Sequence, residues 1–172
     1  MGSADFYRVK KGYTDMPMTP EGLDRLVNDE GRSLMPYRDS RNCLTIGIGR
    51  CLDTDGISLA ECYMMLDNDL RIIERDCLTL PWFNTLTDVR KDVIMMLRFN
   101  LGLHGLLSFK NMIAAIERED WIEAGVQMTN SNAARQTGER YKGLANAFAS
   151  NDWSPLVWDN TQKATQVFPW ND

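Results

Sequence analysis

Between Leu34 and Leu52 the helical spacing of apolar residues that governs most of the chain breaks down, and short extended pieces take its place. Leu44-Thr45-Ile46-Gly47-Ile48-Gly49 combines β-branched residues with glycines, and the polar run Asp39-Ser40-Arg41-Asn42 precedes it. This pattern predicts a small antiparallel hairpin or three-stranded sheet. Glycine within a strand marks a place where another backbone or a ligand comes close. A single small sheet flanked by helical segments confines the chain to the α+β class.

The helical segments announce their ends. Thr19 can cap a helix, Pro20 suits its first turn and Glu21 favours the positive end of the dipole. Leu23, Leu26 and Val27 then repeat at helical spacing up to Glu30-Gly31, where the glycine predicts a stop. Ser58-Leu59-Ala60-Glu61 matches a capping box. Leu59, Tyr63, Leu66, Leu70 and Ile73 form one apolar face behind it. A further helix is expected from about Asp88 to Leu101, with Val89, Val93, Met96 and Leu97 inward and Gly102 as its end. Ser108 is expected to cap a short helix through Ile116, Asp120 one to about Met128, and Thr137 one through Phe148. Met64, Met65, Met95, Met96 and Met112 read as core filler. The resulting division is an extension over residues 1–19, one domain over 20–159 with its β lobe at about 31–57, and a tail over 160–172. Trp158, Phe168, Pro169 and Trp170 make the C-terminal end aromatic. It is expected to fold back onto the helical part of the domain, with a docking segment as the alternative.

Composition removes several classes of function. With 172 residues, 44% of them apolar, the chain can bury a true core. A net charge of −5 gives no bulk attraction to nucleic acid, to anionic membranes or to an anionic bacterial wall. No run approaches the roughly 20 apolar residues of a membrane span, so no stable membrane insertion is expected. Residues 1–5 lack a secretory pattern, which leads to the expectation of synthesis in a cytoplasm. The one histidine, His104, and the lack of a C-x-x-C pair argue against structural zinc. No metal or other cofactor is expected. Cys43, Cys51, Cys62 and Cys77 are expected as free, mostly buried thiols, though spacing leaves disulfides open. There is no Gly-x-Ser-x-Gly elbow and no phosphate-cradling loop.

Three polar residues gather at the junction of first helix and sheet. Glu30 ends the helix, Asp39 lies at the turn, and Thr45 sits on the returning strand. Glycoside hydrolysis uses such a set: one carboxylic acid protonates the leaving oxygen and a second carboxylate handles water. The flanking residues carry more information. Glu30-Gly31-Arg32, Tyr37-Arg38-Asp39 and Thr45-Ile46-Gly47-Ile48-Gly49 closely resemble the phage lysozyme family, glycoside hydrolase family 24. Eight residues separate Glu30 from Asp39 and five separate Asp39 from Thr45, as in that family. Phe99-Asn100-Leu101-Gly102, Phe109, Trp121, Glu123-Ala124, Gln136-Thr137, Arg140 and Trp153 extend the resemblance over roughly residues 20–159.

The resemblance implies a lysozyme-like fold, a small antiparallel β lobe and a larger helical lobe joined by a long helix, with the active-site cleft between them. It implies Glu30 as general acid, Asp39 as the carboxylate that positions or activates water, and Thr45 as a holder of that water. Phe99 matches a cleft-lining position, with core packing as its alternative. Gln127 matches a sugar-contacting amide, and Arg140 an arginine that pairs with the catalytic glutamate. The implied substrate is bacterial peptidoglycan, cut at the β-1,4 bond between N-acetylmuramic acid and N-acetylglucosamine with inversion. The expected setting is phage-mediated host lysis by a monomer, with a holin giving access to the periplasmic wall. A virion-associated lysozyme, a delivered effector and a non-catalytic glycan-binding module are the competing readings. Arg50 departs from the histidine that usually follows Thr-Ile-Gly-Ile-Gly, and its larger fork requires other partners. Ala133 stands where T-even members carry tryptophan, and the Arg50–Gly56 segment is short.

Overall fold

A computed structural model describes residues 17–130 and 139–153. In chain order these form α1 (Pro20–Glu30), β1 (Ser33–Arg38), β2 (Leu44–Gly47), β3 (Arg50–Cys51), α2 (Leu59–Leu78), a 3-10 turn (Pro81–Thr85), α3 (Asp88–Leu107), α4 (Lys110–Glu117), α5 (Trp121–Thr129) and α6 (Glu139–Ser150). The α+β class is as expected. Two compact units divide at Met64 and Met65, inside α2.

In the first unit, α1 begins as its sequence predicts. Thr19 Oγ1 accepts from the Gly22 N–H at 3.2 Å, and Pro20 occupies the first turn. Gly31, at φ 74°, ends the helix directly after Glu30, and its N–H returns to the Val27 carbonyl. The sheet has the order β1-β2-β3, antiparallel throughout. Tyr37 pairs with Thr45 and Arg38 with Leu44, but the register shifts between Ser33 and Tyr37. Pro36 lies in that interval and has no N–H to give a ladder, which suits a bulged edge strand. Among the described residues of this unit only Thr45 and Cys51 are buried. Hydrogen bonds and a covalent link, more than an apolar core, hold these strands.

That link corrects the expectation of four free thiols: Cys43 and Cys51 form a disulfide. Pairing of β2 with β3 sets their Cα atoms 5.8 Å apart, within the span a disulfide bridges. By chain entropy a loop this short contributes on the order of 2–3 kcal/mol. Cys62 is an exposed free thiol and Cys77 a buried one. Burial pushes the Cys77 thiol up to about 11, so it stays protonated and inert.

The second unit has an apolar core. Ile73, Cys77, Phe83, Val93, Ile94, Leu97, Leu106, Met112, Ile116, Met128 and Phe148 meet there. Gly125 lets α5 approach α6: a Cβ on it would stand 2.9 Å from the Ala145 carbonyl oxygen. Arg90 binds three helices together. Its Nε donates to the Phe148 carbonyl at 3.0 Å, one of the last turn's unpartnered acceptors, and its guanidinium lies 4.0 Å from the Trp121 ring centroid. Burial lowers its pKa. The Arg98 guanidinium closes on Asp76 through two nitrogens, at 2.8 and 2.5 Å, fastening α3 to α2.

Four expectations about the helices are revised. Gly102 does not end α3: it kinks it at φ 71°, and helix resumes to Leu107. Ser108 closes α3 instead of opening α4, because its hydroxyl donates to the Gly105 carbonyl at 2.6 Å. The expected inner face of α2 is buried only at Ile73, while Leu59, Tyr63, Leu66 and Leu70 are exposed. A 20-residue helix runs about 30 Å, and only its later turns reach the core of α3–α6. Likewise Met112 is buried and Met95 packs against the core, but Met64, Met65 and Met96 are exposed. Residues 1–16, Ala133, Gln136, Thr137 and the aromatic tail lie outside the described residues.

Gly125→Ala is expected to lower stability by about 1–3 kcal/mol despite alanine's better helix propensity, because a backbone carbonyl cannot swing aside as a side chain can. Thermal and urea unfolding would show it. A variant as stable as the parent would mean that the α5–α6 approach is not limiting.

Candidate active site

The site grows out of one turn. Asp39 opens it, and Asn42 takes the left-handed conformation, φ 63°, that asparagine tolerates better than most residues. The Asp39 side chain folds back on the turn: its Oδ1 accepts from the Cys43 N–H at 2.8 Å and from the Arg41 N–H at 2.9 Å. The Asp39 N–H donates to the Cys43 carbonyl at 3.0 Å, and the Asn42 N–H to the Asp39 carbonyl at 2.9 Å. The Cys43 N–H stabilises the charged carboxylate most, with Arg41 assisting, and holds the Asp39 pKa below the ordinary value of 3.8. The second oxygen, Oδ2, faces the Arg41 guanidinium loosely at 3.7 Å.

Thr45 is almost fully buried, and its hydroxyl donates to the Cys43 carbonyl at 3.1 Å. One residue, Cys43, thus carries backbone contacts to both Asp39 and Thr45. Glu30 sits at the opposite end of β2. The turn after that strand is Gly47-Ile48-Gly49, with both glycines at positive φ, and a Cβ on Gly49 would stand 3.4 Å from Glu30 Oε2. No close approach explains these glycines: nothing stands within 4 Å of a Cβ on Gly47 and Glu30 Oε2 is at ordinary contact distance from one on Gly49, so their positive φ is what favours glycine at both positions. At about 3.4 Å per residue, β2 keeps the two carboxylate-bearing turns well apart.

Two supports were not foreseen. Asp53 Oδ2 accepts from Arg38 at 2.9 Å and from the Leu44 N–H at 2.8 Å, and Arg38 also donates to the Asn42 carbonyl at 2.8 Å. This ties the end of β1, the turn and the start of β2. An acidic residue two positions past a strand gives no sequence signal for that role. Arg50 finds the partners that its larger fork requires: Glu61 Oε2 at 2.8 Å and the Gly56 carbonyl at 3.4 Å. Glu61 also completes the expected capping box with Ser58, and the Ser58 N–H is the main reason its pKa is lowered.

Glu30, Asp39 and Thr45 all lie in the first unit, where Asp39 and Thr45 are joined through Cys43; Phe99, Gln127 and Arg140 belong to the second. Phe99 is half exposed on α3, just before the Gly102 kink. Gln127 Nε2 donates to Glu123 Oε1 at 2.6 Å, one turn back on α5. Arg140 lies in the first turn of α6, partly buried.

A family model described as phage lysozyme matches residues 27–149. The chain belongs to the phage lysozyme family. Over 147 residues it is 27% identical to Probable T4-type lysozyme 1 of Dictyostelium discoideum, covering 68% of this chain and 86% of that one. Over 155 residues it is 24% identical to Probable T4-type lysozyme 2 of the same organism, covering 73% and 91%. Over 95 residues it is 32% identical to the endolysin of Salmonella phage P22, covering 51% and 64%. Membership in the phage lysozyme family supports a glycoside hydrolase with peptidoglycan as substrate.

Because the folded pKa of Asp39 is depressed, its ionised form contributes stability that is present above pH 3.8 and is lost as pH falls through the lower folded value. Carboxyl carbon NMR is expected to show Asp39 titrating below 3.8, and a midpoint at or above that value would refute the turn geometry. Gly49→Ala is expected to cost about 1–2 kcal/mol of stability through its positive φ. It should also lower kcat more than it raises KM, since relief of the positive φ would shift the turn that the Glu30 carboxylate touches. Unchanged kcat in that variant would separate Gly49 from the site.

Proposed function

We propose that this phage lysozyme is an active muramidase, hydrolysing the β-1,4 bond between N-acetylmuramic acid and N-acetylglucosamine with inversion. The division of labour between the Asp39 oxygens carries the reading: among the described residues, Oδ1 takes two backbone N–H bonds, while Oδ2 faces Arg41 in a loose ion pair. A carboxylate held this way is fixed in place, stays ionised and still has an oxygen to offer water. In the reaction, Glu30 gives its proton to the glycosidic oxygen as the bond from the anomeric carbon breaks and its electron pair moves to that oxygen. Water attacks the same carbon from the opposite face and passes a proton to Asp39 Oδ2.

Thr45 spends its hydroxyl proton on the Cys43 carbonyl, so only its lone pairs remain to accept a hydrogen bond from that water. The family resemblance extends the assignment to Phe99 and Gln127 as sugar contacts and to Arg140 as support for Glu30. The setting we propose is phage-mediated host lysis: a monomer made in the host cytoplasm acts on the periplasmic wall after a holin gives access. The relative from phage P22, named endolysin, favours this setting over a virion-associated or effector role.

Release of reducing ends from purified peptidoglycan tests the chemistry. Glu30→Gln and Asp39→Asn are each expected to lower kcat by at least about a hundredfold, with the thermal midpoint near that of the parent for Glu30→Gln and modestly lower for Asp39→Asn, which loses the stabilised charge. Activity that survives both substitutions would place the site elsewhere. A folded parent that binds glycan without releasing ends would favour a non-catalytic module.

A further inference from the structure

The contacts that hold Asp39 and Thr45 converge on Cys43, and Cys43 is covalently joined to β3. Its N–H fixes Asp39 Oδ1 at 2.8 Å, and its carbonyl accepts from the Asp39 N–H at 3.0 Å and from Thr45 Oγ1 at 3.1 Å. Its sulfur bonds to Cys51, which in turn pairs with Thr45 across the β2–β3 ladder. The other restraints on this turn are hydrogen bonds, not apolar packing, since Thr45 and Cys51 are the buried residues among those described in this unit. Asp53 secures the neighbouring Leu44 N–H and Arg38.

We propose that the Cys43–Cys51 disulfide is a positioning element for the Asp39–Thr45 pair, so that hydrolysis by this enzyme depends on the thiol–disulfide state of the chain. The proposal rests on the muramidase reading above. With the bond open, the Cys43 peptide loses its covalent tie to β3, and its hydrogen bonds to Asp39 and Thr45 are left to hold the turn alone. A shift of about 1 Å in a catalytic group is enough to cost on the order of a hundredfold in rate. Substrate contacts made elsewhere do not change, so the loss falls on kcat.

The step balances with a disulfide donor such as oxidised glutathione. One cysteine, as its thiolate, attacks the donor disulfide and releases one glutathione thiol. The second cysteine, having lost its proton, attacks the resulting mixed disulfide and releases the other. Two cysteine thiols are oxidised, one donor disulfide is reduced and the two protons end on glutathione. In a reducing milieu the pair remains dithiol and the enzyme slow; in an oxidising one it closes and the enzyme reaches full rate.

The test uses the full chain carrying Cys62→Ser, which removes the exposed thiol that would form mixed disulfides. Peptide mass mapping first assigns the state of Cys43 and Cys51. Then kcat, KM and the Asp39 carboxyl titration are compared in the oxidised protein, the protein reduced with a phosphine, and the reduced protein after oxidised glutathione. The expected result is a kcat at least about tenfold lower on reduction, KM within about twofold, an Asp39 midpoint that rises, and recovery of all three on reoxidation. Cys43→Ser/Cys51→Ser should match the reduced parent in both conditions.

Unchanged kcat and unchanged Asp39 titration with the bond shown open would overturn the proposal, as would thiols at Cys43 and Cys51 after oxidised glutathione. A reduced chain that melts below the assay temperature would also overturn it, because the bond would then act on stability alone. The Asp39 titration needs no substrate. A protein inactive in both states whose Asp39 midpoint still moves would therefore sink the muramidase reading while upholding the positioning role.

Discussion

Everything chemical in the first unit depends on a turn that satisfies its own backbone with a side chain. An exposed four-residue turn leaves N–H groups that water would otherwise solvate, and Asp39 takes two of them on one oxygen. Such a turn is a local solution: it needs only aspartate at its start and a residue such as Asn42 that accepts the left-handed conformation. The same bonds that make the turn also hold the carboxylate ionised, so structure and chemistry share one set of hydrogen bonds. Removing the carboxylate would therefore release the backbone as well as the charge. The amide of Asp39→Asn keeps one accepting oxygen and is the gentler probe.

The two units meet their packing problem differently. The helical unit buries Val93, Ile94, Leu97, Leu106, Met112 and Phe148 and can rely on apolar contact. Its polar pieces are fasteners at helix ends, as where Arg90 meets the Phe148 carbonyl and Arg98 meets Asp76. The sheet unit has too few buried side chains for that. Its strands are fixed by the Asp53 bridge, the Arg50–Glu61 pair, the cross-strand disulfide and the glycine turn beneath Glu30. Polar and covalent restraints are directional, whereas apolar contact is not. A unit that must hold two carboxylates in defined places gains from the directional kind.

This contrast explains what the sequence revealed. Signals confined to a few residues were legible: the Thr19 and Asp120 caps, the Ser58–Glu61 box and the turn at Asp39 all took the expected form. The positions of Glu30 at a helix end, Asp39 at a turn and Thr45 on a strand were legible because each rests on a few neighbouring residues. Features set by pairing between distant residues were hidden. The Cys43–Cys51 bond exists only once β2 and β3 are in register, and spacing alone could not choose it over free thiols. The helical period of α2 identified a face but not what, if anything, covers Leu59 and Tyr63. Ser108 has the residue type of a helix start, yet the carbonyls of the helix before it reached its hydroxyl first.

Arg50 shows how a departure from the family pattern can leave the architecture whole. A histidine at this position would carry charge only below about pH 6.5, so an ion pair built on it would weaken toward neutral pH. Arginine keeps its charge throughout that range. Its partner Glu61 is already occupied by the Ser58 N–H and hydroxyl at the start of α2, and its carboxyl is held below its ordinary pKa. The link from β3 to the first turn of α2 therefore titrates only in acid, when Glu61 takes up a proton. The same strand carries Cys51, so the anchor that steadies the disulfide does not loosen between pH 5 and 8. Arg50 therefore gives this joint a charge that outlasts neutral pH.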